Sequence, residues 1–262
     1  MNQPLAYVHP EAKIAPNVVI EPFVNIEKNV VVGEGTWIGS NVTIMEGARI
    51  GKNCKIFPGA VISAIPQDLK FKGEDSKVII GNNVTIREFV TVNRGTKASG
   101  ETVVGNRCLL MAYVHIAHDC HIGNNVILAN AVNLAGHIDV EDYAIIGGMS
   151  AVHQFVHIGK HTMIGGGSMV TKDIPPYSKA GRSPISFVGV NSIGLRRRGY
   201  SDEQINFIHE IYRHLYLRGR NISQAVGFIE ANLPINAERD EILSFIQNSQ
   251  RGIMRGYRRP KE

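Results

Sequence analysis

The chain has 262 residues, with 28 Lys and Arg against 23 Asp and Glu for a formal net charge of +5, and a length that buries a substantial core. Hydrophobic residues at 44% and charged residues at 19% exclude a disordered chain, and so small a net charge gives no ground to expect nucleic acid as a partner. No apolar stretch follows a basic start and no run approaches the roughly 18 apolar residues that cross a bilayer, so the expectation is a cytoplasmic protein without stable membrane insertion.

An aliphatic residue recurs at every sixth position from Val8 through Ile14, Ile20 and onward to Ile62. The beat returns at Ile80, Ile86 and Val92, pauses, and then runs from Val104 to Val170. Neither a helix nor an ordinary strand has this period. Four residues after each beat the side chain is usually small, as at Ala12, Ala48, Cys54, Ala60, Cys108, Cys120 and Ala144. Two inward positions per side, one large and one small, fit a triangular prism, and such repeats are the signature of a β-helix. Turn residues fill the gaps, as in Gly33-Glu34-Gly35 and Gly123-Asn124-Asn125. The 25 beats make roughly eight coils of three sides, ending at Pro175-Pro176. All three cysteines occupy the small inward position, which makes them core fillers rather than metal ligands or disulfide partners.

Two segments interrupt the beat, 63–79 and 93–103, and a solenoid has no packing need for either. Excursions of this kind are often functional, the alternative being a solvated loop. The first carries Pro66-Gln67-Asp68-Leu69-Lys70, a polar mixture suited to hydrogen-bonding a ligand.

Seven of the ten histidines fall between His115 and His161. A coil takes about eighteen residues, so positions eighteen apart lie in neighbouring strands about 4.8 Å apart. His118 then stacks under Gly136 and Gln154, and Asp119 under His137. A base beside an unhindered glycine amide suits acyl transfer. Adjacent residues in a strand point to opposite faces, so Asp119 orients His118 only where a corner lies between them. His115 and His121 sit at outward positions that need no functional explanation.

From Ser201 the spacing becomes helical, with Ser201 to Gln204 as a capping box and Ile205, Ile208, Tyr212 and Leu215 on one stripe. Further helices are predicted near 223–232 and 237–250, dividing the chain into a solenoid at 1–189 and a helical domain at 190–262. The latter holds twelve basic residues against eight acidic ones. Its clusters are Arg196-Arg197-Arg198 and Arg255, Arg258, Arg259 and Lys261, which bind phosphates or an acidic protein, or stay solvated.

Together these residues resemble the UDP-N-acetylglucosamine O-acyltransferases of the hexapeptide-repeat acyltransferase class, over essentially the whole chain. The likeness rests on the repeat, on Gln67-Asp68-Leu69-Lys70, His115-Ile116-Ala117-His118-Asp119-Cys120, Leu134-Ala135-Gly136-His137 and Ile145-Ile146-Gly147-Gly148-Met149. It extends through Ala151-Val152-His153-Gln154-Phe155 and Gly189-Val190-Asn191 to Arg196-Arg197-Arg198-Gly199-Tyr200. The resemblance implies an all-β solenoid, a left-handed parallel β-helix with a C-terminal α-helical domain, assembled as a homotrimer with active sites between subunits. Period alone does not give that hand, and the general preference is for right-handed crossovers. The implied donor is an (R)-3-hydroxyacyl chain on acyl carrier protein, and the acceptor is the glucosamine 3-hydroxyl of UDP-N-acetylglucosamine, in the first step of lipid A synthesis. No cofactor or metal is implied.

By the same resemblance His118 is the general base and the Gly136 amide the oxyanion donor. Asp68 and Lys70 contact the sugar, while His115, His137, His153 and Gln154 line the cleft. Asn191, Arg197 and Arg198 meet the nucleotide, and Gly166 leaves room for the acyl tail. Two departures stand out: Asn191-Ser192-Ile193-Gly194 lacks the carboxylate of the usual Asn-Ile-Glu-Gly, and a histidine common near the acyl arm is replaced around Pro184. Acetyl-CoA-dependent hexapeptide acyltransferases generally lack the helical domain. Carbonic anhydrases of the γ type space their three zinc-binding histidines differently.

Overall fold

A computed structural model describes residues 4–256. The cluster members Arg258, Arg259 and Lys261 lie outside these described residues. Three sheets form the walls of a left-handed prism, with nine, eight and eleven strands among the described residues, all parallel except at Ser186–Val190 in the last one. Each wall is visited once per coil. Strand pairs such as Val103↔His121, His115↔Asn133 and Ile127↔Ile145 are all eighteen residues apart, so the expected grid holds after Val104.

The beat residues point inward and are almost all fully buried: Ile44, Ile56, Ile86, Leu110, Ile116 and Ile146 have no exposed surface. The small residues share that interior, and Cys54, Cys108 and Cys120 are buried with it. Burial pushes the Cys108 thiol up to about 11 and that of Cys120 up to about 12, which keeps both protonated and inert. They fill the core, as the repeat implies.

Corners require a residue with positive φ, and asparagine tolerates this best after glycine. Asn29, Asn41, Asn53, Asn83 and Asn125 take it at φ of 53 to 60°. Where second and third walls meet, an amide ladder satisfies the corner N–H groups: Lys52, Asn82 and Asn106 donate to the Oδ1 atoms of Asn82, Asn106 and Asn124 one coil above, at 2.7 to 2.9 Å. Asn124 N–H ends the series on Asp142 Oδ1 at 2.6 Å.

Both excursions leave from the corner between first and second walls. Val61 pairs with Thr91, thirty residues on, and Lys77 with Glu101, twenty-four residues on. Those coils therefore gain twelve and six residues, whole multiples of the repeat, and every later inward residue keeps its phase.

The prism does not end at the two prolines. After them Ser178–Gly181 adds another parallel strand beside Met163–Ile164, and Ser186–Val190 turns back antiparallel to it. The N–H groups of Ile174 and Tyr177 donate to His157 and Lys160, so Pro175 and Pro176 sit between the ladder's donors and interrupt nothing. The last coil is shorter, with Met163 pairing to Lys179 sixteen residues on.

Helices α1 (Ser192–Arg197), α2 (Asp202–Tyr216), α3 (Ile222–Asn232) and α4 (Ala237–Asn248) follow, the last three near the expected positions and α1 an addition to them. The Ser201–Gln204 capping box is present, and Ile205, Ile208, Tyr212 and Leu215 are buried against Tyr177, Val190, Ile229 and Ile242. The chain then returns, Arg255–Gly256 pairing with Ser186–Phe187 and Met254 N–H donating to Asp173 O, so the helices cap the last coil. No helix among the described residues is long and apolar enough to cross a membrane.

Because Ile116 fills the prism with no exposed surface, Ile116→Ala should lose about 2–5 kcal/mol of unfolding free energy in urea titrations. A loss below about 1 kcal/mol would mean the coil collapses around the gap and the interior is not close-packed.

Candidate active site

The corner between first and second walls carries the densest polar chemistry. His118 and Asp119 are its two turn residues, and Asp119 has φ of 58°. The chain reverses facing there, so the two side chains meet: His118 Nδ1 lies 2.7 Å from Asp119 Oδ2. A corner does separate them, and Asp119 is the group that orients the imidazole. With the carboxylate ionised, Nδ1 carries the proton and Nε2 keeps a lone pair.

The Asp119 side chain has no exposed surface. Its Oδ1 accepts from Thr96 N–H at 2.9 Å, Ser99 N–H at 3.2 Å and Ser99 Oγ at 2.5 Å, and Oδ2 accepts from Thr96 Oγ1 at 2.7 Å. Burial alone would raise its pKa. The hydrogen bonds from Ser99, His118 and Thr96 outweigh that and hold the carboxyl well below the usual range.

One coil above, a side chain on Gly136 would stand 2.5 Å from His118 Cε1 and 2.7 Å from Nε2, so only glycine leaves room for this ring. The Gly136 N–H takes no part in the coil's hydrogen bonding among the described residues. His137, above Asp119, meets His118 edge-on at 5.1 Å and stacks on Phe155 at 4.8 Å, with Nε2 3.7 Å from Asp119 Oδ2. The expected column of His118, Gly136 and Gln154 beside Asp119 and His137 is therefore present.

The first excursion folds onto this corner. Gln67, Asp68, Lys70, Ala117, His118 and Gln154 line one cavity of about 290 Å³. Lys70 N–H donates to Asp68 Oδ1 at 3.0 Å, which shapes the loop tip. The second excursion braces its start, where Asn93 Nδ2 donates to Ile65 O at 3.0 Å.

Other expected residues stand at varying distances from this cavity. His115 faces outward on the first wall, Nδ1 2.7 Å from Thr91 Oγ1, and its burial lowers its pKa. His153 adjoins Gln154 and is exposed, with Nδ1 on Gln154 O at 3.1 Å. Gly166 occupies the corner between third and first walls, at the far edge of the first wall, where a Cβ would stand 3.1 Å from Gly148 O and 3.7 Å from Gly148 N. Asn191 is buried, its Nδ2 donating to His161 O and its Oδ1 accepting from Gly194 N–H, so its carboxamide starts α1. Arg197 is exposed, and Arg198 lies over the Tyr143 ring and donates to Tyr143 O at 3.1 Å. These arginines belong to the corner between second and third walls. One subunit does not bring them to His118.

The remaining histidines disperse. His121 pairs with Asp139 at 3.3 Å and His157 with Glu141 at 2.8 Å on the second wall, while His161 stacks between Tyr143 and Tyr177. Burial, then Arg198 and Lys160, pushes His161 down to about 4, so it is neutral.

Among the described residues His118, Asp119 and His137 have donor atoms close enough to share a metal ion. The Asp119 oxygens accept hydrogen bonds from Thr96, Ser99 and His118. No local motif marks Thr96, Ser99 and Thr102. Their signal is the count of sixes, which places 93–103 on the corner of His118.

Residues 173–254 match the family profile described as UDP-N-acetylglucosamine O-acyltransferase, domain 2, and 101–136 match the bacterial transferase hexapeptide. Residues 2–97 match the profile described as the GMPPB C-terminal domain. The chain is 55% identical over 194 residues, 74% of its length and 72% of the relative's, to a protein of Sulfurihydrogenibium named acyl-(acyl-carrier-protein)--UDP-N-acetylglucosamine O-acyltransferase. A protein of the same name from Myxococcus xanthus is 43% identical over 195 residues, 74% of this chain and 76% of that one. The crystal structure of a UDP-N-acetylglucosamine acyltransferase from Bacteroides fragilis superposes with a TM-score of 0.95 at 54% identity, covering 97% of this chain and all of that one.

The depressed pKa of Asp119 has a signed consequence. Its folded value lies below the unfolded value of about 3.9, so its stabilisation is complete above about pH 4 and is lost as pH falls through the folded value. In urea unfolding, Asp119→Asn should be less stable than the native protein by a margin that is flat from about pH 5 to 8 and narrows below about pH 4. A margin that widens on acidification would show that the carboxylate is not stabilising the fold.

Proposed function

The chain belongs to the UDP-N-acetylglucosamine O-acyltransferase family, and from that premise we propose that it moves an (R)-3-hydroxyacyl group from acyl carrier protein to the glucosamine 3-hydroxyl of UDP-N-acetylglucosamine, the first step of lipid A synthesis, in the cytoplasm. The observation that carries this reading is the oriented His118, 2.7 Å from Asp119, in a cavity shared with Asp68, Lys70 and Gln154.

A sugar hydroxyl is a poor nucleophile near neutral pH. His118 Nε2 takes its proton as the oxygen attacks the thioester carbonyl carbon, and Asp119 stabilises the imidazolium that forms. The tetrahedral oxyanion receives the Gly136 N–H, a donor typically worth about 3 kcal/mol. Collapse breaks the carbon–sulfur bond, His118 returns its proton to the leaving thiolate, and the ester and free carrier thiol depart. Asp68 and Lys70 hold the sugar, and His115, His137, His153 and Gln154 line the approach.

Arg197 and Arg198 hold the nucleotide phosphates, where a planar, permanently charged fork suits an anion. Asn191 aims α1, which ends at Arg197 with Arg198 as its C-cap. Since these arginines and His118 occupy different corners of one prism, the substrate bridges two subunits. A homotrimer supplies that juxtaposition. An exposed apolar column at the third corner, Phe23, Phe89, Tyr113 and Met149, supports such packing. Gly166, on the same edge, makes room for the acyl tail.

The test is to incubate the protein with UDP-N-acetylglucosamine and 3-hydroxyacyl carrier proteins of graded length, and to identify the product by mass. His118→Gln should lower kcat by about a hundredfold to ten-thousandfold while the unfolding transition stays in place. More than a tenth of native turnover in that variant would remove His118 from the chemistry. In the same series Gly166→Met should shift preference toward shorter chains, each lost methylene being worth about 0.8 kcal/mol. An equal loss at every length would mean that Gly166 serves the coil and does not measure the acyl group.

A further inference from the structure

The excursion 93–103 leaves and rejoins the prism at the corner of His118, and the proposed chemistry makes no direct use of it. One coil higher the same corner is closed by two residues, His118 and Asp119, so the fold has no need of the extra length. Its hydroxyls converge on one atom group. Four hydrogen bonds from Thr96 and Ser99 end on the Asp119 carboxylate, and Thr102 Oγ1 accepts the Asp119 N–H at 2.9 Å. The cage is itself held: Ala98 N–H donates to Thr96 Oγ1 at 3.2 Å, and Glu101 N–H donates to Ser99 Oγ at 3.4 Å.

The distribution between the two oxygens decides what the cage does. Oδ1 is occupied by three donors of the excursion, and Oδ2 receives Thr96 Oγ1 alone from that side. His118 Nδ1 takes the remaining approach to Oδ2. A competitor stands close by, His137 Nε2 at 3.7 Å from the same oxygen. A carboxylate free to rotate about its two side-chain bonds would divide itself between the two imidazoles. The caged one cannot.

We infer that the excursion 93–103 is a positioning element for the base, and that Thr96 and Ser99 are positioning residues: they hold Asp119 with Oδ2 toward His118 and thereby hold the imidazole with Nε2 toward the cavity. This rests on the reading of His118 as the base. It assigns Thr96 and Ser99 to proton transfer and leaves substrate binding to 63–79. Binding of both substrates should therefore be indifferent to the cage, while turnover depends on it.

The experiment measures kcat and both KM values for Ser99→Ala, Thr96→Val and Thr96→Ser, in the native chain and in the Asp119→Asn background. Ser99→Ala removes a single oxygen and leaves the fold least disturbed. Expected are a fall in kcat of about tenfold to a hundredfold for Ser99→Ala and Thr96→Val with KM nearly unchanged, since small misplacements cost factors of this size. Thr96→Ser should restore most of the turnover. In the Asp119→Asn background the same changes should cost nothing further, because groups acting through one residue are not additive. Undiminished kcat in the Ser99→Ala, Thr96→Val double variant, or a full multiplied loss on top of Asp119→Asn, overturns the inference. His118→Gln separates the two readings: full activity there removes the base itself, whereas an indispensable His118 with additive loop effects removes only the positioning role.

Discussion

Every feature of this molecule depends on the phase of the six-residue repeat. Parallel strands stacked in register leave each wall residue only one choice, inward or outward, and a slip of one residue would turn a whole coil's aliphatic set toward solvent. The two excursions respect this limit by adding whole repeats, so Val104 and all that follows return to the inward position. The prism can therefore carry loops of quite different chemistry on a single corner without disturbing the walls beneath them.

That corner concentrates an electrostatic cost. Burying a carboxylate loses several kcal/mol of hydration, and such a charge survives only where hydrogen bonds replace the water. Asp119 meets the condition through Thr96, Ser99 and His118. The same bonds that keep it charged also give it a direction, and the direction passes to His118. Gly136 completes the arrangement by lacking a side chain, since any Cβ there would occupy the space of the imidazole. His118 and the Gly136 amide, the proposed base and donor, are thus adjacent because one coil stacks on the next.

The three corners divide the work. The first carries His118 and the cavity residues, and the second carries the ring stack of Tyr143, His161 and Tyr177, against which Arg198 lies. The third is an exposed apolar edge with Phe89 stacked on Tyr113 at 5.2 Å. The helices close the last coil and, through Asn191, set where Arg197 and Arg198 stand. A substrate with an anionic end and a reactive hydroxyl suits surfaces held on separate corners, provided a second subunit brings them face to face.

Much was legible in the linear pattern because the forces behind it are periodic or local. Inward aliphatics every sixth residue determine three walls, the buried set down to the inert cysteines, and the stacking of His118 under Gly136, since each follows from counting. Helix α2 was visible for a similar reason: its cap at Ser201 and its apolar stripe span a few turns of chain. The extra strand after Pro175-Pro176 was not visible, because whether a proline breaks a ladder depends on which N–H groups the neighbouring coil accepts. Nor did adjacency in sequence say that Asp119 faces His118, since that required a turn with positive φ between two walls. The cage of Thr96 and Ser99 lies some twenty residues from Asp119 and follows no period, so only the folded corner brings those donors to one carboxylate. Counting along the chain locates the scaffold and its candidate base, whereas the direction in which that base points arises only on folding, because orientation comes from hydrogen bonds converging from separate loops.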